Sequence, residues 1–169
     1  MVDTQVRPSD VTKFPIIDAL LNVPREKFVP DGKREAAYIG ENLSIGPSRV
    51  ILEPRTLAKL LDALDIKNNE LVLDIGSGLG YSSAVISRMA ELVIAVEQDT
   101  SFAAESEGIL SEAGADNVVV QVNKLEDGAP QHGPYDVIIL QGGVEEIPLS
   151  ILNQLKNGGR IGAIFIEEG

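Results

Sequence analysis

The stretch LVLDIGSGLGYSS, residues 71–83, decides the fold of this 169-residue chain. It starts as an apolar run typical of a buried strand, reaches Asp74, and then crosses Gly76, Gly78 and Gly80 before helical spacing begins. Glycine allows the backbone to turn tightly after a strand and to come close to a ligand. A strand, a glycine-rich turn and a helix in this order indicate the first unit of a parallel α/β sheet.

Strand-like and helix-like segments alternate from residue 55 onward. Apolar runs predict strands at 70–76, 92–97, 117–122, 135–141 and 160–168. Helical spacing predicts helices at 55–66, 81–90, 100–114 and 148–159. This alternation favours an α/β, Rossmann-like fold with a mostly parallel sheet and helices on both faces. Ligands of such sheets bind outside the carboxyl ends of the strands, where the strand order reverses.

The first 55 residues have a different character, because they hold six of the nine prolines. A short helix is predicted at 9–22, with Ser9 as its N-cap, and a second one at 32–38. Residues 39–54 are predicted to form a loop with a brief extended piece. We therefore expect two parts. Residues 1–55 form a helical and loop extension, which packs on a ligand-binding α/β domain over 56–169.

Composition excludes several classes of protein. The chain has no cysteine and one histidine, so neither a disulfide nor a metal site is expected. The net charge is −12 and all the acidic excess follows residue 55, which argues against nucleic acid as a partner. No apolar run is long enough to cross a membrane, and no signal peptide opens the chain. These features predict a cytoplasmic protein.

Two carboxylates at neighbouring strand ends predict the ligand. Glu97 ends the strand after Asp74, 23 residues further on, where a carboxylate can accept from both hydroxyls of a ribose. Asp74 precedes the glycines and suits a cationic amino-acid group, whereas it would repel a pyrophosphate. The glycine spacing also departs from the dinucleotide fingerprint, whose last glycine would fall on Tyr81. A ligand with a ribose, a positive charge and no phosphate matches S-adenosylmethionine.

Four ordered segments resemble the motif set of class I S-adenosylmethionine-dependent methyltransferases. They are LVLDIGSGLGYSSAVIS (71–87), VIAVEQD (93–99), YDVIIL (135–140) and ILNQLKNGGRIG (151–162). Two N-terminal segments, VRPSDVTKFPIIDALLNVPREKFVP (6–30) and AAYIGENLSIG (36–46), are similar to the protein-L-isoaspartate O-methyltransferase family. The resemblance implies methyl transfer from S-adenosylmethionine to a carboxylate of an isoaspartyl peptide or protein. This is a protein-repair reaction that releases S-adenosylhomocysteine.

The resemblance also implies where the cofactor would bind. The implied residues are Asp74, Gly76, Ser77, Gly78, Gly80, Glu97, Gln98, Asn123, Lys124 and Leu125. Residues 123–125 stand where the family has Gly-Asp-Gly, whose acid helps to place the adenine. Asn123 or Glu126 could accept from the adenine amine here, and an ordinary polar loop is the alternative.

On the substrate side the chain departs from the family. The segment RVILEP, residues 49–54, matches a stretch that ends in Ser-Gln-Pro, so Leu52 replaces the serine and Val50 replaces a threonine. Ser48, Leu52 and Glu53 are the substrate-side candidates, and no residue is assigned a catalytic role. A carboxylate nucleophile is already ionised at pH 7 and needs no general base. Three functions stay open: methylation of an isoaspartyl carboxylate, methylation of another substrate, and a catalytically silent cofactor-binding or interaction protein.

The sequence also predicts an unusual sheet edge. Class I methyltransferases continue after the fifth strand into an antiparallel hairpin, which is missing from this sequence. Either the chain is truncated, or something else covers the apolar edge IGAIFI, residues 161–166. An uncovered edge of this kind favours association, so a homo-oligomer formed through this strand is a hypothesis.

Overall fold

The structure is a computed structural model that describes residues 1–167. Its N-terminal part consists of short elements. They are a π-helix (Val2–Val6), 3-10 turns (Arg7–Ser9, Arg25–Phe28 and Asp31–Ala36), helix α1 (Phe14–Asn22), the antiparallel strands β1 (Leu43–Gly46) and β2 (Arg49–Ile51), and helix α2 (Pro54–Leu64).

The body of the molecule is one five-stranded parallel sheet with its connections. Its strands are β3 (Leu71–Ile75), β4 (Leu92–Glu97), β5 (Val118–Val122), β6 (Tyr135–Val144) and β7 (Leu155–Phe165). The connecting helices are α3 (Tyr81–Ser87), α4 (Thr100–Glu112) and α5 (Leu149–Leu152), with 3-10 turns at Leu125–Asp127 and Pro130–His132.

The strand order is β5-β4-β3-β6-β7, and every neighbouring pair is parallel. The predicted Rossmann-like α/β fold is therefore confirmed. The chain runs outward from β3 to one edge and then returns to the other side of β3, so the order reverses between β3 and β6. The carboxyl ends of β3, β4 and β6 meet at this point, which is where such sheets bind ligands.

Alternation along the strands buries both faces of the sheet. Val72, Val93 and Val137 face α1, α2 and α3, and Leu110 of α4 joins the same core. Ile94 and Ile138 point to the other face, which, within residues 1–167, is covered by α5 and the neighbouring 3-10 turns. Helices therefore cover the two faces unequally, and β-branched side chains fill the positions buried on both sides, as is usual for parallel strands.

The N-terminal segment shares the larger core with the sheet. Val6, Leu20 and Phe28 are buried in the same cluster as the residues of β3 and β4. Arg25 is fully buried. Its guanidinium lies 4.8 Å from the centre of the Tyr81 ring and donates to the carbonyl oxygen of Leu52 at 2.9 Å. The extension is thus fixed to the start of α3 by packing and by a buried cation.

Two predicted helices differ from the structure. The first starts at Phe14 instead of residue 9, because Asp10 takes a left-handed conformation with φ of 65°. The helix predicted at 148–159 ends at Leu152, and β7 starts at Leu155 instead of 160. There the Tyr135 amide donates to the Gln154 carbonyl oxygen at 2.8 Å, so the β6–β7 ladder begins early. Residue 168, the predicted end of the fifth strand, lies outside the described residues.

Strand β7 lies at the edge of the sheet. It pairs with β6 and with no other strand among residues 1–167, and Phe165 is 57% exposed. Over the same residues, no helix combines the length and apolar character that crossing a membrane requires.

Candidate active site at the glycine-rich turn

The glycine-rich turn follows β3 at the switch point of the sheet. The amides of Gly76 and Ser77 both donate to the carbonyl oxygen of Val96, at 2.9 and 3.2 Å, so the turn is fixed to the end of β4. Gly78 has a φ of +58°, and a Cβ there would lie 3.0 Å from the side chain of Ile45 in β1. The turn therefore depends on glycine both for its conformation and for the close approach of the β1–β2 hairpin.

Gly80 packs at the start of α3, and its predicted contact with the cofactor stays a prediction. It precedes α3 with a φ of +101°, and a Cβ there would meet the side chain of Leu110 at 3.1–3.3 Å. Its small size lets α3 and α4 pack closely, and it lies in the lining of neither cavity described below.

Asp74 is completely buried beneath the turn. One carboxylate oxygen accepts from the hydroxyls of Ser82 and Ser83, both at 2.6 Å, and the other accepts from the Gln141 amide at 2.9 Å. Burial raises the pKa of this carboxyl, and the three donors partly offset that effect. Asp74 therefore connects β3, α3 and β6, and its oxygens are already engaged by protein donors. The direct contact with a cationic ligand that the sequence suggests for Asp74 stays a prediction.

Glu97 is also fully buried, at the carboxyl end of β4. Its Oε1 accepts from the Gly78 amide and its Oε2 from the Asp99 amide, both at 2.8 Å. The guanidinium of Arg49, on β2, binds both oxygens at once, with Nη1 at 2.9 Å from Oε2 and Nη2 on Oε1. The predicted ribose-binding carboxylate thus holds a cation of the same chain.

A cavity of about 330 Å³ opens beside this ion pair. This volume lies at the lower end of the range of about 300–1,000 Å³ that small-molecule sites occupy. Ser48, Gln98 and Leu125, three of the predicted site residues, line it together. The Leu125 amide donates to Gln98 Oε1 at 3.3 Å, which joins the end of β4 to the loop after β5.

A second cavity of only about 10 Å³ lies on the other side of the turn. The predicted residues that line it are Leu52, Gly76, Ser77 and Gly78. Among the described residues, the buried Ser77 and Tyr81 hydroxyls beside it find no hydrogen-bond partner. Buried polar groups in native proteins are nearly always paired, and a cavity of about 10 Å³ has room for about one water, which would pair with these hydroxyls.

Besides Asp74, Gly80 and Glu97, three more predicted residues line neither cavity. Glu53 precedes α2, and its carboxylate accepts from the Thr56 hydroxyl at 2.8 Å. Asn123 donates to the carbonyl oxygen of Gly128 at 2.8 Å and shapes its own loop. Lys124, the next residue of the same loop, is exposed.

Two residues beside the cavities, Arg49 and Gln141, were not predicted from the sequence. Arg49 opens the segment that carries the substrate-side candidates, and its charge was the available signal. Gln141 lines both cavities and donates to Asp74, but nothing in an apolar strand such as 135–140 distinguishes the glutamine that follows it.

Known proteins match this chain in sequence and in fold. The sequence profile of the family described as protein-L-isoaspartate(D-aspartate) O-methyltransferase matches residues 3–166. This chain belongs to that family. The family consists of S-adenosylmethionine-dependent O-methyltransferases, so S-adenosylmethionine is the methyl donor.

Individual relatives match almost the whole chain. The protein-L-isoaspartate O-methyltransferase of Syntrophus aciditrophicus is 36% identical over 95% of this chain and 74% of its own length. The enzyme of Gloeobacter violaceus is 37% identical over 95% of this chain and 78% of its own length. The chain therefore spans about three quarters of these relatives.

Solved structures show the same fold. A protein-L-isoaspartate O-methyltransferase superposes with a TM-score of 0.83 and 28% identity, over 94% of this chain and 52% of that one. A Plasmodium falciparum protein named for the same activity was solved in complex with S-adenosyl-L-homocysteine. It gives a TM-score of 0.80 at 19% identity, over 96% of this chain and 81% of that one.

The residues at the turn fit a nucleoside cofactor in part. The 330 Å³ cavity lies at the carboxyl ends of the strands and is lined by Gln98 and Leu125, two of the predicted cofactor residues. The carboxylate suited to the ribose stands beside this cavity, but Arg49 occupies both of its oxygens. Binding of the cofactor through Glu97 therefore requires this guanidinium to move.

Proposed function

We propose that this protein binds the nucleoside part of S-adenosylmethionine in the 330 Å³ cavity, with Glu97 accepting from the ribose hydroxyls, and that it methylates the carboxylate of an isoaspartyl peptide or protein. One observation carries the proposal: a buried carboxylate stands at the end of β4 beside a glycine-rich turn and a cavity of suitable size. The complex of the Plasmodium falciparum protein with S-adenosyl-L-homocysteine supports it, because the two chains share the fold.

In this reading the bound cofactor supplies an electrophilic methyl group, which an ionised carboxylate accepts without a general base. The protein's own residues then have two tasks, orientation of the nucleoside and exclusion of water. Glu97 orients the ribose, and the Leu125 and Gln98 side chains flank the cavity on the side of β4 and β5. The β1–β2 hairpin covers the turn, since Ile45 contacts the position of Gly78.

Ser48 is the substrate-side candidate that the structure favours. It lies in the tight turn between β1 and β2, with a φ of 56°, and it lines the large cavity. Leu52 is buried in the core and Glu53 starts α2, so neither offers a polar group to the large cavity. We propose that the Ser48 hydroxyl orients the substrate carboxylate.

A second function is favoured by Val50 and Leu52. Neither side chain can donate to a substrate carboxylate, and the adjacent cavity of about 10 Å³ is nearly closed. A protein with this site could keep the cofactor and lack isoaspartyl transfer, as a silent binding protein or as a methyltransferase for another substrate.

A transfer assay distinguishes these functions. The protein is incubated with methyl-labelled S-adenosylmethionine and an isoaspartyl peptide, with the matching normal aspartyl peptide as control. The proposal expects label in the isoaspartyl peptide alone, as a base-labile methyl ester. Binding of S-adenosylhomocysteine by calorimetry without any transfer would reject isoaspartyl methylation and support the second function.

Two further features belong to this proposal. The acidic balance of the chain, −12 overall, supports a protein or peptide partner over nucleic acid. The lack of cysteine supports a cytoplasmic location, where disulfides are rare.

A further inference from the structure

Arg49 and a ribose would compete for the same atoms. A carboxylate offers about four acceptor positions, two on each oxygen. At Glu97 the amides of Gly78 and Asp99 fill two of them, and the guanidinium of Arg49 fills the other two. A ribose diol that donates to Glu97 with both hydroxyls therefore needs the positions that Arg49 holds.

We propose that Arg49 is an internal competitor of the nucleoside, which closes the Glu97 site in the free protein and sets the affinity for the cofactor. This inference rests on the proposed function, because it takes Glu97 as the ribose-binding carboxylate. The pair is bidentate and largely shielded, since the Arg49 side chain is 13% exposed and that of Glu97 is 0% exposed. Bidentate charged pairs of this kind are among the stronger hydrogen-bonded contacts in proteins.

Arg49 can leave without breaking the fold. Among the described residues, Glu97 is the only hydrogen-bond partner of its guanidinium, and Arg49 lines the 330 Å³ cavity. Its backbone belongs to a hairpin of two short strands, which is separate from the main sheet. The guanidinium can therefore turn towards the exposed carboxylates of Glu126 and Glu146 at the rim of the cavity, which leaves the interior free for the nucleoside.

The exchange links cofactor binding to the hairpin. In the free protein, Arg49 joins β2 to the end of β4 across the glycine-rich turn. Once a nucleoside takes over Glu97, the hairpin loses this anchor, and the segment with Ser48 and Val50 is released on the substrate side. The cofactor would therefore bind first and the substrate second.

The test is calorimetry of S-adenosylhomocysteine with the full chain and with Arg49→Gln. The variant keeps a polar side chain but loses the charge and the fork that bind Glu97. We expect binding at least tenfold tighter than in the parent protein. Arg88→Gln is the matched control, because Arg88 is an exposed arginine paired with Asp18, and its loss changes the net charge equally. The control should leave the affinity within about twofold.

Thermal unfolding supplies a second readout. Without ligand, Arg49→Gln should melt at a lower temperature, since Glu97 stays buried with one partner fewer. With saturating S-adenosylhomocysteine, the rise in melting temperature should be larger than that of the parent protein. Arg49→Lys keeps the charge without the bidentate geometry. Its affinity for S-adenosylhomocysteine should lie between those of the parent protein and Arg49→Gln. It therefore decides the question if the glutamine variant does not fold.

Each result separates this inference from the function on which it rests. Equal or weaker binding by a folded Arg49→Gln protein, with normal binding by the parent, would overturn the competition and leave the proposed function intact. If neither the parent protein nor the folded variant bound S-adenosylhomocysteine, the proposed function itself would fall.

Discussion

The two acidic residues at the strand ends, Asp74 and Glu97, have different surroundings in the folded protein. Both lie beneath the glycine-rich turn, but Asp74 is closed in by two serines of α3 and a glutamine of β6, whereas Glu97 faces the hairpin through Arg49. Their positions followed from the strand pattern. Their partners did not, because Gln141 and Arg49 are distant in sequence and only the folded chain brings them there.

The hydroxyl that the substrate side lacks can be restored at Val50. This residue is half-buried and lines the small cavity, and threonine has nearly its shape, so Val50→Thr adds a donor without opening a hole in the core. We expect transfer to an isoaspartyl peptide to rise at least severalfold, measured as labelled methyl ester per unit time. Leu52→Ser is the poorer test, since Leu52 is 2% exposed and its truncation should cost about 2–5 kcal/mol of unfolding free energy.

The control for this experiment is Val120→Thr, a half-buried valine on β5. It introduces the same hydroxyl away from the site and should leave the transfer rate unchanged. A folded Val50→Thr protein with the parent rate would show that a missing hydroxyl at this position does not limit the reaction.

At the scale of elements, helix α3 depends on a glycine at its start. Gly80→Ala would place a Cβ 3.1–3.3 Å from Leu110 in a backbone with φ of +101°. We expect it to lower the unfolding free energy by more than about 1 kcal/mol. Gly108→Ala is the matched control, because Gly108 lies inside α4 with no atom within 4 Å of the added methyl. It should stabilise by roughly 0.5–1 kcal/mol, and denaturant titration of both variants checks the contrast. Equal effects would contradict the close packing of α3 on α4.

The stability of the contact between β3 and β6 depends on pH through Asp136. Asp136 accepts from the Leu71 amide at 2.8 Å, and this hydrogen bond, together with Lys156, lowers the pKa of the Asp136 carboxyl below its usual 3.8. Because the folded pKa is the lower one, its contribution to stability is complete above about pH 4. It is lost as the pH falls through the folded value.

Asp136→Asn keeps an acceptor for the Leu71 amide but does not titrate. Its loss of stability relative to the parent protein should therefore be largest at neutral pH and shrink below about pH 4, as followed by denaturant unfolding at several pH values. Asp116→Asn, which changes an exposed carboxylate, should give no such convergence. Parallel stability curves for Asp136→Asn and its parent would refute the effect.

The elements that sequence analysis placed well are those with strong local patterns. The strand predicted at 92–97 has the predicted bounds, and that at 117–122 differs by one residue. The failure at 148–159 has a tertiary cause. Gln154 is buried, its side chain donates to the Asp127 carbonyl oxygen at 2.9 Å and accepts from the Ala129 amide at 3.0 Å, and the chain straightens after it. A side chain that joins its own segment to the loop at 127–129 leaves no periodic signal in the sequence.

At the scale of the whole molecule, strand alternation and the glycine-rich turn were sufficient for the fold and for the end of the sheet that carries the site. The state of the site was not predictable. The Glu97 carboxylate is paired because the hairpin of residues 43–51 lies over the glycine-rich turn. Contacts such as the close approach of Ile45 to Gly78 set this placement.

The outer edge of β7 predicts self-association. Among residues 1–167 this strand pairs on one side only, and Phe165 near its end is 57% exposed. We propose that a second copy of the chain pairs with this edge, so sedimentation velocity should show a larger species at higher protein concentration. Phe165→Lys should abolish this association. Phe14→Lys, which changes an exposed phenylalanine of α1, should leave it unchanged. A monomer at every concentration would remove this proposal.

The central claim is that Glu97 is the nucleoside-binding carboxylate of this methyltransferase. Calorimetry of S-adenosylhomocysteine with the parent chain and with Glu97→Gln tests it most directly. Glu70→Gln serves as the matched control, because Glu70 also pairs with an arginine, at 2.8 Å from Arg160, but lies away from both cavities. We predict one molecule bound per chain, a loss of about 1–3 kcal/mol of binding free energy in Glu97→Gln, and no loss in Glu70→Gln. Unchanged binding by a folded Glu97→Gln protein, or no binding by the parent chain, would contradict the account.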